Sequence, residues 1–143
     1  MIATRIGKTR LVYCASKSFL AKEKILKPID LENKKRVVVS SFRSDWVFMD
    51  QGEKIILANK PILFTDQMSV ARQACIEGLG VGCFYYYQVA KAIKSQQLSI
   101  ILDDFNQKKI PIHFVYPHAK LISPRVKHFM SWIKDKITEF SFY

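Results

Sequence analysis

Two stretches of this chain, CASKSFL at 14–20 and FTDQMSV at 64–70, place hydroxyl and charged side chains where a strand-like run gives way to a helical one. Ser16 and Lys17 stand at the first turn, Thr65 and Asp66 at the second. The first backbone N–H groups of a helix have no intrahelical partner and carry partial positive charge, so they attract anions. Open α/β sheets bind small ligands at the carboxyl ends of strands. The chemistry predicted is capture of a small, anionic molecule. Ser16, Thr65 and Asp66 also read as plain helix caps, and local sequence by itself favours that reading.

Other reactive residue types point away from catalysis. The glycines of GLGVG (78–82) follow a helix and precede a strand, the reverse of a phosphate-binding loop, so they read as a helix C-terminus. His113, His118 and His128 have no metal-ligand spacing with one another or with any Cys or acidic pair. No Ser or Cys is matched in local sequence with a base and an orienting acid, and Asp103–Asp104 falls in a polar connector. Neither an enzyme, nor a metal site, nor a cofactor is expected.

Cys14, Cys75 and Cys83 are odd in number, lack C-x-x-C spacing and lie in apolar patterns, as small buried hydrophobes of a reducing compartment would. The apolar patch Leu11–Ala15 is too short for an export signal, and Tyr13 replaces the small residue a lipoprotein cleavage site would need. Lys or Arg interrupts every apolar run before roughly 18 residues accumulate, so no membrane helix is predicted. A cytoplasmic protein is expected. The net charge of +11 is scattered, densest at Lys34-Lys35-Arg36 and in the last helix, which describes a solvated surface better than a nucleic-acid groove. It also favours small anions by long-range attraction.

These residues are positioned by alternating elements. Strands are expected at Arg10–Ala15, Arg36–Ser40, Asp45–Met49, 54–58, Ile62–Phe64, 81–86, Leu98–Leu102 and Ile110–Tyr116. Helices are expected after Ser16, from Thr65-Asp66 to about Glu77, over 87–96, and from Pro124. The last carries Val126, Phe129, Trp132, Ile133, Ile137 and Phe140 along one stripe, with Ser123 as N-cap. Such alternation makes an α/β protein. Residues 11–103 form a nearly self-sufficient unit, whereas the flanks have apolar faces that must cover something else.

The order of motifs resembles the effector-binding domain of LysR-type transcriptional regulators over residues 5–138. RLVYCASKSFLAKEKILKPIDLENKKRVVVS is similar to the family's strand, ASPxYL helix, Pro-x-Asp-Leu segment and next strand. DWVFMDQGEKI resembles its Trp-x-Phe hairpin, FTDQMSVARQACIEGLGVGCF its Asn/Thr-Asp helix and glycine turn, and QLSIILDDF the strand that follows. PIHFVYPHAKLISPRVKHFMSWI is similar to its YP…LSPRV ending. The resemblance implies a bilobal fold of the periplasmic-binding-protein type 2 class, crossed twice by the chain. Residues 11–105 would be the second lobe, and 1–10 with 106–143 a partial first lobe.

It also implies a ligand in the interlobe cleft, with Ser16 and Lys17 matching the family's Ser-Pro, Thr65 and Asp66 its Asn-Asp, and Phe84 and Tyr85 its Leu-Pro. Lys17 and Tyr85 replace family prolines, so both loops should differ in shape. The function implied is effector sensing within a homo-oligomeric regulator, with a small-molecule effector as partner and DNA bound only through a helix-turn-helix absent from these residues. A remnant or interaction module that self-associates through the incomplete first lobe is the alternative. Non-specific nucleic-acid binding through net charge is a third.

Overall fold

The computed structural model describes residues 1–42, 46–106, 109–117, 122–137 and 139. Asp45, His118 and Phe140, each part of an expectation above, lie outside them.

The chain begins with one 14-residue strand, β1 (Ile2–Ala15), longer than the expected Arg10–Ala15 because its first half finds a partner far away in sequence. α1 (Lys17–Lys22) follows, then a 3-10 turn at Pro28–Leu31 and β2 (Arg36–Val39). β3 (Trp46–Asp50) and β4 (Glu53–Leu57) form a hairpin whose tight turn takes Gln51 and Gly52 to positive φ, 50° and 80°, the geometry the Asp50-Gln51-Gly52 signal predicts. β5 (Leu63–Thr65), α2 (Met68–Ile76), β6 (Val81–Tyr85), α3 (Tyr86–Lys94) and β7 (Ser99–Ile101) complete the middle of the chain. A 3-10 turn at Asp103–Phe105 precedes β8 (Lys109–Tyr116) and α4 (Pro124–Ile137).

The main sheet runs β5-β2-β6-β1-β7. β5, β2 and β6 are parallel, whereas β1 is antiparallel to both β6 and β7. β1 changes partners along its length. Its residues 11–15 pair with β6 and β7, and residues 2–10 pair with β8, through a bulge between Arg5 and Gly7.

Strand alternation sends side chains to two cores. Tyr13, Ala15, Val38, Val81 and Cys83 face the β3–β4 hairpin, where Trp46, Phe48 and Leu57 are buried. Val12, Cys14, Val37, Val39 and Phe84 face α2 and α3, against Ala71, Cys75, Val89 and Ala92. The glycine-rich turn is explained by packing. Gly78 ends α2 at φ +84°, while a Cβ on Gly80 would stand 2.4 Å from the Lys35 carbonyl oxygen. All three cysteines are buried and free, and burial pushes the Cys75 and Cys83 thiols up to about 12. The expected polar connector is tied down: Asp103 pairs with Arg10, and the Asn106 side-chain amide donates to the Leu11 carbonyl at 2.9 Å.

Candidate functional site: one end of the main sheet

Three parallel strands deliver their carboxyl ends to one edge of the sheet. Val39 pairs with Thr65 across β2 and β5, and Val37 pairs with Gly82 across β2 and β6. Thr65, Ser40 and Tyr85 therefore stand side by side, with neighbouring strands about 4.8 Å apart. The Ser40 N–H donates to the Thr65 carbonyl at 2.8 Å. Leu11 pairs with Tyr85, so the point where β1 changes partners lies at the same edge.

At the second turn the helix begins one step later than expected. Gln67 is the N-cap of α2, its side chain makes no capping bond, and the Thr65 hydroxyl accepts the Gln67 N–H at 3.1 Å. Asp66 is exposed beside it. The first intrahelical bond reaches back from Ala71 to Gln67, so the N–H groups of residues 68–70 precede the helical ladder. At β6, Tyr85 is the N-cap of α3 and its N–H donates to Gln88 Oε1 at 2.9 Å. Its ring meets Phe42 edge-on at 5.2 Å and lies nearly parallel to Tyr87 at 5.8 Å. Burial, followed by the neighbouring Tyr85, raises the Tyr87 phenol above its ordinary value.

Ser16 and Lys17 are not brought to this edge. They do follow a strand's carboxyl end, but β1 runs antiparallel to β6, so that end points to the opposite side of the sheet. There the Ser16 hydroxyl accepts the Phe19 N–H at 3.1 Å and meets the Ser18 hydroxyl at 2.9 Å, close under Gly78. Ser16 is buried and acts as the cap of a six-residue helix. Lys17 donates to Gln96 Oε1 at 2.8 Å, beyond the far end of α3. Phe84 reaches the correct edge, but its ring is fully buried between α2 and α3, so its side chain belongs to the core.

Residues that local sequence did not nominate complete the edge. An open cavity of about 390 Å³ is lined by Thr9, Tyr85, Tyr87, Ile110, Pro111 and Ile112, joining β1 and β8 to the start of α3. Ser40 and Tyr87 were within reach of the strand-end rule, since Ser40 follows RVVV and Tyr87 follows VGCFYY. Thr9, Ile110 and Ile112 were not, because only the long-range pairing of β1 with β8 brings them there. Among the described residues no group of His, Cys, Asp or Glu could hold a metal ion, and no helix is long and apolar enough to cross a membrane.

An α/β sheet entered and left through a shared antiparallel pair, with turns gathered at one edge, is the architecture of a ligand-binding regulatory domain. The family described as LysR substrate binding domain matches residues 1–138, and the chain belongs to it. Among relatives, the chain is 29% identical over 149 residues to the probable HTH-type transcriptional regulator SinR of Salmonella typhimurium, covering 95% of this chain and 45% of that protein. The full-length virulence activator AphB of Vibrio cholerae superposes with a TM-score of 0.84 at 20% identity, over 94% of this chain and 47% of AphB. The regulatory domain of CrgA from Neisseria meningitidis gives 0.81 at 20%, over 94% of this chain and 68% of that domain. The fold is thus the periplasmic-binding-protein-like α/β type of these regulatory domains. The matched relatives are regulators of transcription, not enzymes, and the chain spans less than half of the curated relatives' length.

Proposed function

We propose that this chain senses a small, anionic effector for a LysR-type transcription regulator, binding it at the sheet edge formed by Thr65, Asp66 and Tyr85. In this reading residues 11–105 are one lobe, and 1–10 with 106–143 belong to the other. The observation that carries it is the change of partner along β1, which pairs with β6 and β7 over 11–15 and with β8 over 2–10. Two strands running side by side between two bodies can transmit closure of one body onto the other, and a ligand that prefers the closed form shifts the population toward it. In the whole regulator that shift would alter how subunits pack. DNA recognition would rest with a helix-turn-helix outside these residues.

The free N–H groups at the start of α2, beside the Thr65 hydroxyl, supply donors for an anion, and the net charge of +11 attracts one. Ser16 and Lys17 have no part in this site, and Phe84 contributes only backbone. Calorimetric titration with a panel of metabolite carboxylates tests the reading. At least one should bind, and Thr65→Val should weaken it about tenfold through loss of one hydrogen bond to a charged group. A folded protein that binds no small molecule would remove the proposal.

A second reading, self-association through the flanking segment, is favoured by one observation. Val126, Phe129 and Trp132 of α4 are 41%, 52% and 56% exposed, a contiguous apolar stripe on a helix with no buried residue among those described. Sedimentation of the chain at high concentration separates the two readings, since a monomer excludes this one.

A further inference from the structure

We infer that the end of the main sheet opposite Thr65 carries a second anion site, a cavity in which Lys35 and Lys60 hold the phosphate group of a small phosphorylated molecule. The two sites lie at opposite ends of the parallel strands, so this one goes beyond the effector-binding reading and does not depend on it.

The cavity forms where two connectors enter the sheet. Residues 32–35 lead into β2 and residues 59–62 into β5, and the parallel pairing of Val37 with Leu63 sets the connectors side by side. Long-range hydrogen bonds fix them there. The Ile62 N–H donates to the Arg36 carbonyl at 2.9 Å, and the Val81 N–H to the Lys35 carbonyl at 2.9 Å. The Asn59 side-chain amide donates to the Lys34 carbonyl at 3.3 Å, and the Arg36 guanidinium donates to the Asn59 carbonyl. A wall already held in place has little backbone freedom left to lose on binding. The volume, about 580 Å³, lies in the range of small-ligand sites, roughly 300–1,000 Å³.

The charges in this wall are unequally engaged. Lys34 is paired with Glu23. Lys35 and Lys60 are exposed and take part in no ion pair among the described residues, and Glu32 is the one carboxylate in the lining. Behind Asn59, Arg36 is fully buried with its guanidinium over the Trp46 ring, where salt screens its charge much less than at the surface. Group shape then favours phosphate over carboxylate. The planar fork of Arg36, which would match a carboxylate, is turned inward and engaged with Asn59. The cations lining the cavity are ammonium groups, compact charges with three donors each, which suit a tetrahedral group approached from several sides. Asn33 adds a neutral amide, while Pro61 and Ile62, the latter 51% exposed, offer an apolar surface to the organic remainder.

The test titrates the full chain by calorimetry with glycerol 3-phosphate, using glycerol as a control for the organic body and succinate as a control for charge. Glycerol 3-phosphate should bind several-fold more tightly than succinate, and glycerol should not bind. Lys35→Gln and Lys60→Gln should each weaken the phosphate about tenfold by removing a charged hydrogen bond, and Glu32→Gln should strengthen it. All three positions are exposed, so melting temperatures should stay near the parent's, which separates lost binding from lost folding. Affinity should rise as pH passes through about 6, where a phosphate monoester takes its second charge. Equal binding of succinate and glycerol 3-phosphate is attraction by net charge alone and overturns the inference. Phosphate binding that survives both lysine variants but is lost in Thr65→Val also overturns it, and supports the effector edge instead. No binding of glycerol 3-phosphate removes this site and leaves the effector reading to stand or fall on its own carboxylate titration.

Discussion

The middle of the chain and its flanks obey the same patterning rules with opposite results. Between Leu11 and Phe105 the central strands of the main sheet, β2, β6 and the second half of β1, bury both faces, one against the β3–β4 hairpin and the other against α2 and α3. In the flanks, residues 2–10 of β1 and the whole of β8 alternate between half-buried and exposed, with Thr9 the single buried position, and α4 buries nothing completely among its described residues. The aromatic contacts of α4 reflect this. Phe129 stands 6.3 Å from Phe114 and 6.2 Å from Trp132, yet both Phe129 and Trp132 remain more than half exposed. Two strands and one helix make a single layer on another, and such a pair covers only one face of each element. The comparison teaches that an amphipathic pattern records a need for cover without saying what provides it.

Phe84→Ala gives the largest expected effect. The ring is fully buried in the α2–α3 core, and removing it leaves a cavity that costs about 3–5 kcal/mol in a chemical denaturation experiment. A loss under 1 kcal/mol would mean the ring faces a binding cleft, as the family resemblance first implied. Ser16→Ala follows, expected to cost about 1 kcal/mol by removing the N-cap of α1. It should leave effector affinity unchanged, because Ser16 lies at the opposite edge from Thr65. A Ser16→Ala variant of parental stability but weakened binding would reverse that placement.

Sequence legibility follows the range of the interaction concerned. The β3–β4 turn, the Ser16 and Ser123 caps and the end of α2 at Gly78 were readable because their determinants lie within four residues. The strand at RVVV was readable from its run of β-branched valines, whereas the burial of both its faces, Arg36 included, was not. Strand direction was not. The rule that ligands gather at strand carboxyl ends holds for parallel neighbours, and nothing within CASKSFL reports that β1 runs against them. That is why Ser16 and Lys17 separate from Thr65, Asp66 and Tyr85. Phe84 and Tyr85 show the same limit at shorter range, since adjacent residues of one strand face opposite sides, one into the core and one into the edge cavity. The length of β1 was hidden because the Arg and Lys residues of IATRIGKTR mask a strand whose partner lies about 100 residues away.

The smallest expected effect tests the flanks directly. Trp132 is 56% exposed on α4, so Trp132→Ala in an isolated chain should change stability by no more than about 0.5 kcal/mol, the range of an ordinary surface substitution. A buried Trp would cost about 3–5 kcal/mol, and the two outcomes are far enough apart for denaturation midpoints to separate them. The measurement belongs at two protein concentrations. If the loss is small at both, the apolar stripe of α4 is open to water in this chain, and the contrast with the middle unit is a property of one molecule. If the loss grows with concentration, a second copy covers Trp132, because only association makes apparent stability depend on concentration. Lowered midpoints at high concentration alone would then sharpen the contrast, since the flanks would reach the same burial as the middle by borrowing it from another chain.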